Sequence, residues 1–154
     1  IIQVEAKKEI TLDIDVNGKK KSIRFKGFID RIDKIGETYR VIDYKSGKVK
    51  SENVTFKLKE GGLIPSFTSC KHSVQLALYC LFFKDSFGHF PQEAMIYSLT
   101  DISQLDYKLN YAGRNIGELC ELFERFLEEV INEIFNQEVF IEHNTDALYC
   151  NYCT

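Results

Sequence analysis

Gly27-Phe28-Ile29-Asp30-Arg31-Ile32-Asp33-Lys34-Ile35-Gly36-Glu37-Thr38-Tyr39-Arg40-Val41-Ile42-Asp43-Tyr44-Lys45 is the stretch that decides how this chain is read. Two apolar-rich runs flank Gly36-Glu37, a turn signal. With a two-residue hairpin turn there, residues whose numbers sum to 73 face each other, and Asp30 lies opposite Asp43. Directly opposed side chains have Cβ atoms about 4.5–5.5 Å apart, and like charges so placed repel. A cation between them removes the conflict. Ligation by oxygen alone points to a hard ion such as Mg²⁺ or Mn²⁺. Alternation puts Asp43 and Lys45 on one face, with Phe28, Asp30 and Ile32 across from them. Arg31, Asp33, Ile42 and Tyr44 fall on the other face. A solvated hairpin with scattered acids needs no metal, and from the pair alone the two readings stand level.

Outward from this hairpin, Val4 to Val16 alternates, with Ile10, Leu12, Ile14 and Val16 on one face. Asn17-Gly18 is a type I′ turn signal, so Lys19 to Asp33 pairs back on it and Thr38 to Lys45 adds a third strand. From Ser46 to Ser69 the pattern is lost. Between Lys45 and Glu60, lysines 45, 48, 50, 57 and 59 outnumber glutamates 52 and 60. Such a stretch is either a solvated loop or a flexible basic arm able to meet a phosphate backbone. Ser73 to Lys84 predicts a helix that is apolar nearly all round and therefore buried. Its polar exceptions, Gln75 and Tyr79, share a face and need partners, either within the core or at the acidic centre. Glu93 to Leu99 predicts a fourth strand. Ile116 to Phe135 predicts an amphipathic helix, with Leu119, Leu122, Phe123, Phe126, Leu127 and Val130 on its apolar face. The order β-β-β-α-β-α predicts an α+β fold: helices packed on a mixed central sheet that contains an antiparallel meander, with room for a metal at the sheet edge.

The 154 residues suit a single domain, 1–154. A net charge of −3 excludes a global basic field, so a nucleic acid would have to meet a local patch. No apolar run approaches the roughly 18 residues that span a bilayer, and no signal-peptide pattern is present. The five cysteines lack the spacing of a secreted disulfide framework. Cys70, Cys80 and Cys120 are expected to be free thiols, and the expected compartment is the cytoplasm. The chain starts at Ile1-Ile2 inside a strand pattern and stops just after Cys150-Asn151-Tyr152-Cys153, so a C-terminal piece of a longer protein is expected.

Gly-Phe-Ile-Asp-Arg-Ile-Asp, then Asp-Tyr-Lys-Ser-Gly, then Gln75-Leu76-Ala77-Leu78-Tyr79, in that order, resemble the PD-(D/E)XK nuclease superfamily. The resemblance is to its RecB-like branch, including AddB-type helicase–nuclease subunits. It implies a restriction-endonuclease-like core and a Mg²⁺- or Mn²⁺-dependent DNA exonuclease of repair or recombination. It also implies roles. Asp30, Asp43 and the main-chain carbonyl of Tyr44 would hold the metal, and Lys45 would orient or activate the attacking water. Gln75 would position that water or Lys45. Tyr79 would contact DNA. Lys48 and Lys50 extend the DNA-binding set from the basic stretch.

Two features depart from the family pattern. The branch completes its metal site with a His or Glu on a helix before the first strand, whereas His72, His89 and His143 all come later. Glu5 and Glu9 are the early candidates, and the missing ligand is expected upstream. AddB-type relatives also hold a [4Fe–4S] cluster with four cysteines. Cys150 and Cys153 match two of them, so a cluster is expected in the full-length protein only. The rival expectation is a catalytically inactive nuclease-fold module that binds DNA or a helicase region or subunit.

Overall fold

The computed structural model describes residues 1–70, 72–100 and 104–136. Cys150 and Cys153 lie outside the described residues. Among the described residues, five strands and three α-helices form in the order β1 (Gln3–Val16), β2 (Lys19–Ile35), β3 (Thr38–Lys45), α1 (Leu63–Ser69), α2 (Ser73–Phe87), β4 (Glu93–Ser98), β5 (Asp106–Lys108) and α3 (Ile116–Phe135). The sheet runs β1-β2-β3-β4-β5, antiparallel except for the parallel β3–β4 pair. This is the expected α+β architecture of a mixed sheet with flanking helices, consistent with a restriction-endonuclease-like core.

Local chemistry accounts for the turns. Asn17 (φ 53°) and Gly18 (φ 76°) both take the positive angles of a type I′ turn. The β2–β3 ladder carries Ile35↔Thr38, Asp33↔Arg40 and Arg31↔Ile42, which is the predicted register. The helices bury their apolar faces against the sheet in one continuous core, which includes Ile10, Ile14, Ile29, Ile32, Val41, Ile96, Phe67, Leu76, Phe82 and Phe123. Asn115 starts α3 by accepting from the Glu118 backbone N–H at 2.9 Å.

Three expectations need correction. The β1–β2 ladder omits a single internal pair, Glu5 with Asp30, and Glu5 has φ 46°. Across this interruption the alternation of β2 changes phase. Ile23, Phe25 and Ile29 turn to the helices before it, and Ile32 does so after it. Phe28 is consequently 57% exposed and does not share the buried face of Asp30 and Ile32. Second, the stretch after β3 is no loose arm. Val49, Val54 and Phe56 are buried, and the backbone of Val54 and Phe56 bonds that of Asn110. Third, the acidic pair sits by the C-terminal end of β3, the central strand, rather than at a sheet edge.

Candidate active site

Strand β3 delivers two side chains to the helix face, Asp43 and Lys45, and α2 lies over them. The α2 spacing places Gln75 one turn before Tyr79, so both reach the same point. Gln75 Nε2 donates to Asp43 Oδ1 at 2.6 Å, and Gln75 Oε1 accepts from Lys45 Nζ at 2.9 Å. Gln75 Nε2 also lies 2.9 Å from the Tyr79 hydroxyl, which donates to Asp43 Oδ1 at 3.3 Å. Lys45 Nζ stands 2.7 Å from Asp43 Oδ2 as an ion pair. Gln75 and Tyr79, polar side chains on the buried stretch of α2, thus find their partners at the acidic centre.

Asp30 reaches the same end of β3 from β2. Its Oδ2 accepts the Tyr44 backbone N–H at 2.9 Å, so this side chain caps the ladder where the Arg31↔Ile42 pair ends. Asp43 is 1% exposed. Burial pushes its carboxyl above the ordinary range, the Lys45 ammonium pulls it back, and the charge of Asp30 pushes it up again. Burial also raises the Tyr79 phenol, which stays a neutral donor.

Asp43 Oδ2 is buried, and its neighbour is the Lys45 ammonium, 2.7 Å away in an ion pair, with no further donor on it. A buried carboxylate oxygen whose one neighbour is an ammonium, beside a second carboxylate, is a donor set suited to a hard divalent cation. Asp30, Asp43 and the Tyr44 carbonyl are the groups that would hold one. Among the described residues no group of three His, Cys, Asp or Glu side chains gathers to bind a metal. Of the early candidates, Glu9 pairs with Arg24 and Lys26 at 3.5 Å each, and exposed Glu5 stands at the interruption opposite Asp30.

The sequence model of the PD-(D/E)XK nuclease superfamily matches residues 2–154. The chain belongs to that superfamily. No curated protein shows significant similarity to it. Among solved structures, the crystal structure of SSO0001 superposes with a TM-score of 0.44 at 20% identity, covering 98% of this chain and 57% of that one. That likeness is too distant to add to the family membership.

Within this PD-(D/E)XK domain, some expected residues come together and others stand apart. Asp30, Asp43, Lys45, Gln75 and Tyr79 converge. Tyr79 is 6% exposed, and its hydroxyl is engaged with Gln75 and Asp43, so it has little open surface to offer a DNA strand. Lys48 and Lys50 are exposed, and Lys50 pairs with Glu52 at 3.3 Å. Among the described residues no helix is long and apolar enough to cross a membrane.

A second polar cluster occupies the opposite face. Asp33, 2% exposed, accepts from Arg31 Nη2 at 2.6 Å and from Arg40 Nε and Nη2 at 2.7 and 2.9 Å. Burial opposes ionisation of Asp33, but the bonds and charges of Arg40 and Arg31 outweigh it and hold the carboxyl below its ordinary range. Sequence alternation places Arg31, Asp33 and Tyr44 on this face, and the same hairpin register sets Arg40 directly opposite Asp33.

Proposed function

We propose that the domain is a Mg²⁺- or Mn²⁺-dependent DNA exonuclease, hydrolysing phosphodiester bonds in repair or recombination, of the RecB-like, AddB-type branch. The observation that carries the reading is the buried Asp43 carboxylate, with one oxygen met only by the Lys45 ammonium and with Lys45 and Gln75 locked around it.

When bound, the metal would polarise the phosphoryl oxygen and ease deprotonation of the attacking water. The remaining chemistry belongs to the chain. Lys45 places a cation where negative charge grows on the phosphorus oxygens, and charge fixed in advance needs no reorganisation during reaction. Gln75 holds that cation by its amide oxygen and holds Asp43 by its amide nitrogen. Tyr79 steadies Gln75. Lys48 and Lys50, on a segment anchored by Val49, offer charge to the backbone of an approaching strand.

Linear DNA incubated with the chain and Mg²⁺ or Mn²⁺ is the test. Degradation that disappears in Asp43→Ala and in Lys45→Ala is expected, and degradation indifferent to both would sink the assignment. A second reading, a non-catalytic module that binds DNA or a helicase subunit, draws on the absence, among the described residues, of a third acidic or histidine side chain beside Asp30 and Asp43. DNA binding that survives Asp30→Ala with Asp43→Ala, without turnover in the parent chain, would favour it. We place the protein in the cytoplasm. A [4Fe–4S] cluster in a longer parent, using Cys150 and Cys153, belongs to the same proposal.

A further inference from the structure

Tyr44 makes polar contacts on both faces of the sheet. Its backbone N–H donates to Asp30 Oδ2 at 2.9 Å on the catalytic side. Its side chain points the other way. There the hydroxyl accepts from Arg31 Nη1 at 3.1 Å, and the ring meets Tyr97 edge-on at 5.9 Å. Arg31 is in turn held by Asp33 through Nη2 at 2.6 Å, and Asp33 is fixed a second time by Arg40. The chain of contacts therefore runs Arg40–Asp33–Arg31–Tyr44–Asp30, from one face of the sheet to the other. Asp30 and Tyr44 sit just past the last β2–β3 ladder pair, so Tyr44 stays paired with Tyr97 of β4 on one side while on the β2 side the Asp30 side chain takes the place of the next ladder bond.

We propose that the Arg31–Asp33–Arg40 cluster is a positioning device for the catalytic centre, acting through the Tyr44 hydroxyl to set the backbone that orients Asp30. The proposal rests on the nuclease reading above and gives work to the second half of the Asp30-Arg31-Ile32-Asp33 motif, which the chemistry leaves unused. The planar guanidinium suits this task. It grips the carboxylate with one nitrogen and the phenol with another, in a fork whose geometry cannot slide. Groups that orient a metal ligand without touching the ion typically carry about 10–100-fold in metal affinity. The low end applies here, because the effect passes through one backbone bond.

The test uses the 154-residue chain and Mn²⁺ alone, with calorimetry of the parent, Tyr44→Phe, Arg31→Lys, the double variant and Asp43→Ala. Tyr44→Phe deletes a single oxygen and should weaken Mn²⁺ binding about 10-fold. Arg31→Lys should do the same, and the double variant no more than either, since both break one link. In the metal-free protein, hydrogen exchange at the residue 44 amide should quicken in Tyr44→Phe while the amides of Val41 and Ile42 keep their rates. A purely structural role would lower the thermal midpoint and leave both readouts alone. Unchanged Mn²⁺ affinity and unchanged exchange in Tyr44→Phe, with Asp43→Ala having lost Mn²⁺, overturn the positioning role and leave the nuclease reading intact. A parent chain that binds no Mn²⁺ overturns both.

Discussion

Gln75 Nε2 lies 2.6 Å from Asp43 Oδ1, joining α2 to the C-terminal end of β3 across thirty-two residues of sequence. This bond and the one from Lys45 use both ends of a single amide, so Gln75 cannot be replaced by a residue that only donates or only accepts.

Gln75→Leu should therefore cost about 1–3 kcal/mol of stability, the penalty for stranding a buried polar partner. Urea denaturation measures it. Nuclease turnover should fall at least ~10-fold, because Lys45 loses the group that holds it. Gln75→Glu keeps the acceptor for Lys45 but sets a carboxylate against Asp43. It should retain the fold and lose Mn²⁺-dependent cleavage at neutral pH.

Asp33→Asn tests the opposite face. Removing one partner of a buried ion pair typically costs about 3–5 kcal/mol. The partly exposed arginines can rehydrate, so the low end, about 3 kcal/mol, is expected from chemical denaturation.

Asp33 also sets an acid limit. Its folded pKa lies below the unfolded value, so the stability it contributes is present above the unfolded pKa and is lost as pH falls through the folded one. Asp43, raised by burial, works with the opposite sign: its favourable contribution is present below the unfolded pKa and is lost as pH rises through the folded one. The gap in unfolding free energy between the parent and Asp33→Asn should accordingly narrow on acidification below the ordinary carboxylate range. A gap that stays constant with pH would show that the Asp33 charge is not what stabilises the cluster.

Gly27→Ala probes the approach of α2 to β2. A methyl at that position would come within 3.0 Å of Phe82 Cε2, a ring fully buried in the core. A loss of about 1–3 kcal/mol is expected from overpacking. Combining it with Phe82→Leu should recover part of that loss, as read from the thermal midpoints of the four proteins in the cycle.

Much of this architecture is legible in the residues, for identifiable reasons. Asn17-Gly18 and Gly36-Glu37 set the hairpin registers, and the apolar spacing from Leu119 to Val130 marks α3. Other parts arise only from tertiary contact. α1 holds Pro65, Ser66, Thr68 and Ser69 in seven residues, and it forms because Leu63 and Phe67 are buried. β5 has three residues, of which only Tyr107 is buried. The phase change near Asp30 is invisible to a rule that assumes an unbroken strand. At the site, alternation places Asp43 beside Lys45, but no local pattern reports that an amide thirty residues beyond Lys45 lands on it.

The parallel β3–β4 pair has a consequence in time. The hairpins β1–β2 and β2–β3 close over two-residue turns and need little search. Tyr44↔Tyr97 and its neighbours can pair only after the whole intervening stretch, with α1 and α2, has been laid across the sheet. Non-local closures of this kind are slow, because chain entropy is lost before the contacts form. α2 carries Gln75 to Asp43 during that same crossover. The meander is therefore expected to mature first and the Asp43–Gln75–Lys45 network last, so that a nascent chain acquires its strands before the centre proposed for cleavage.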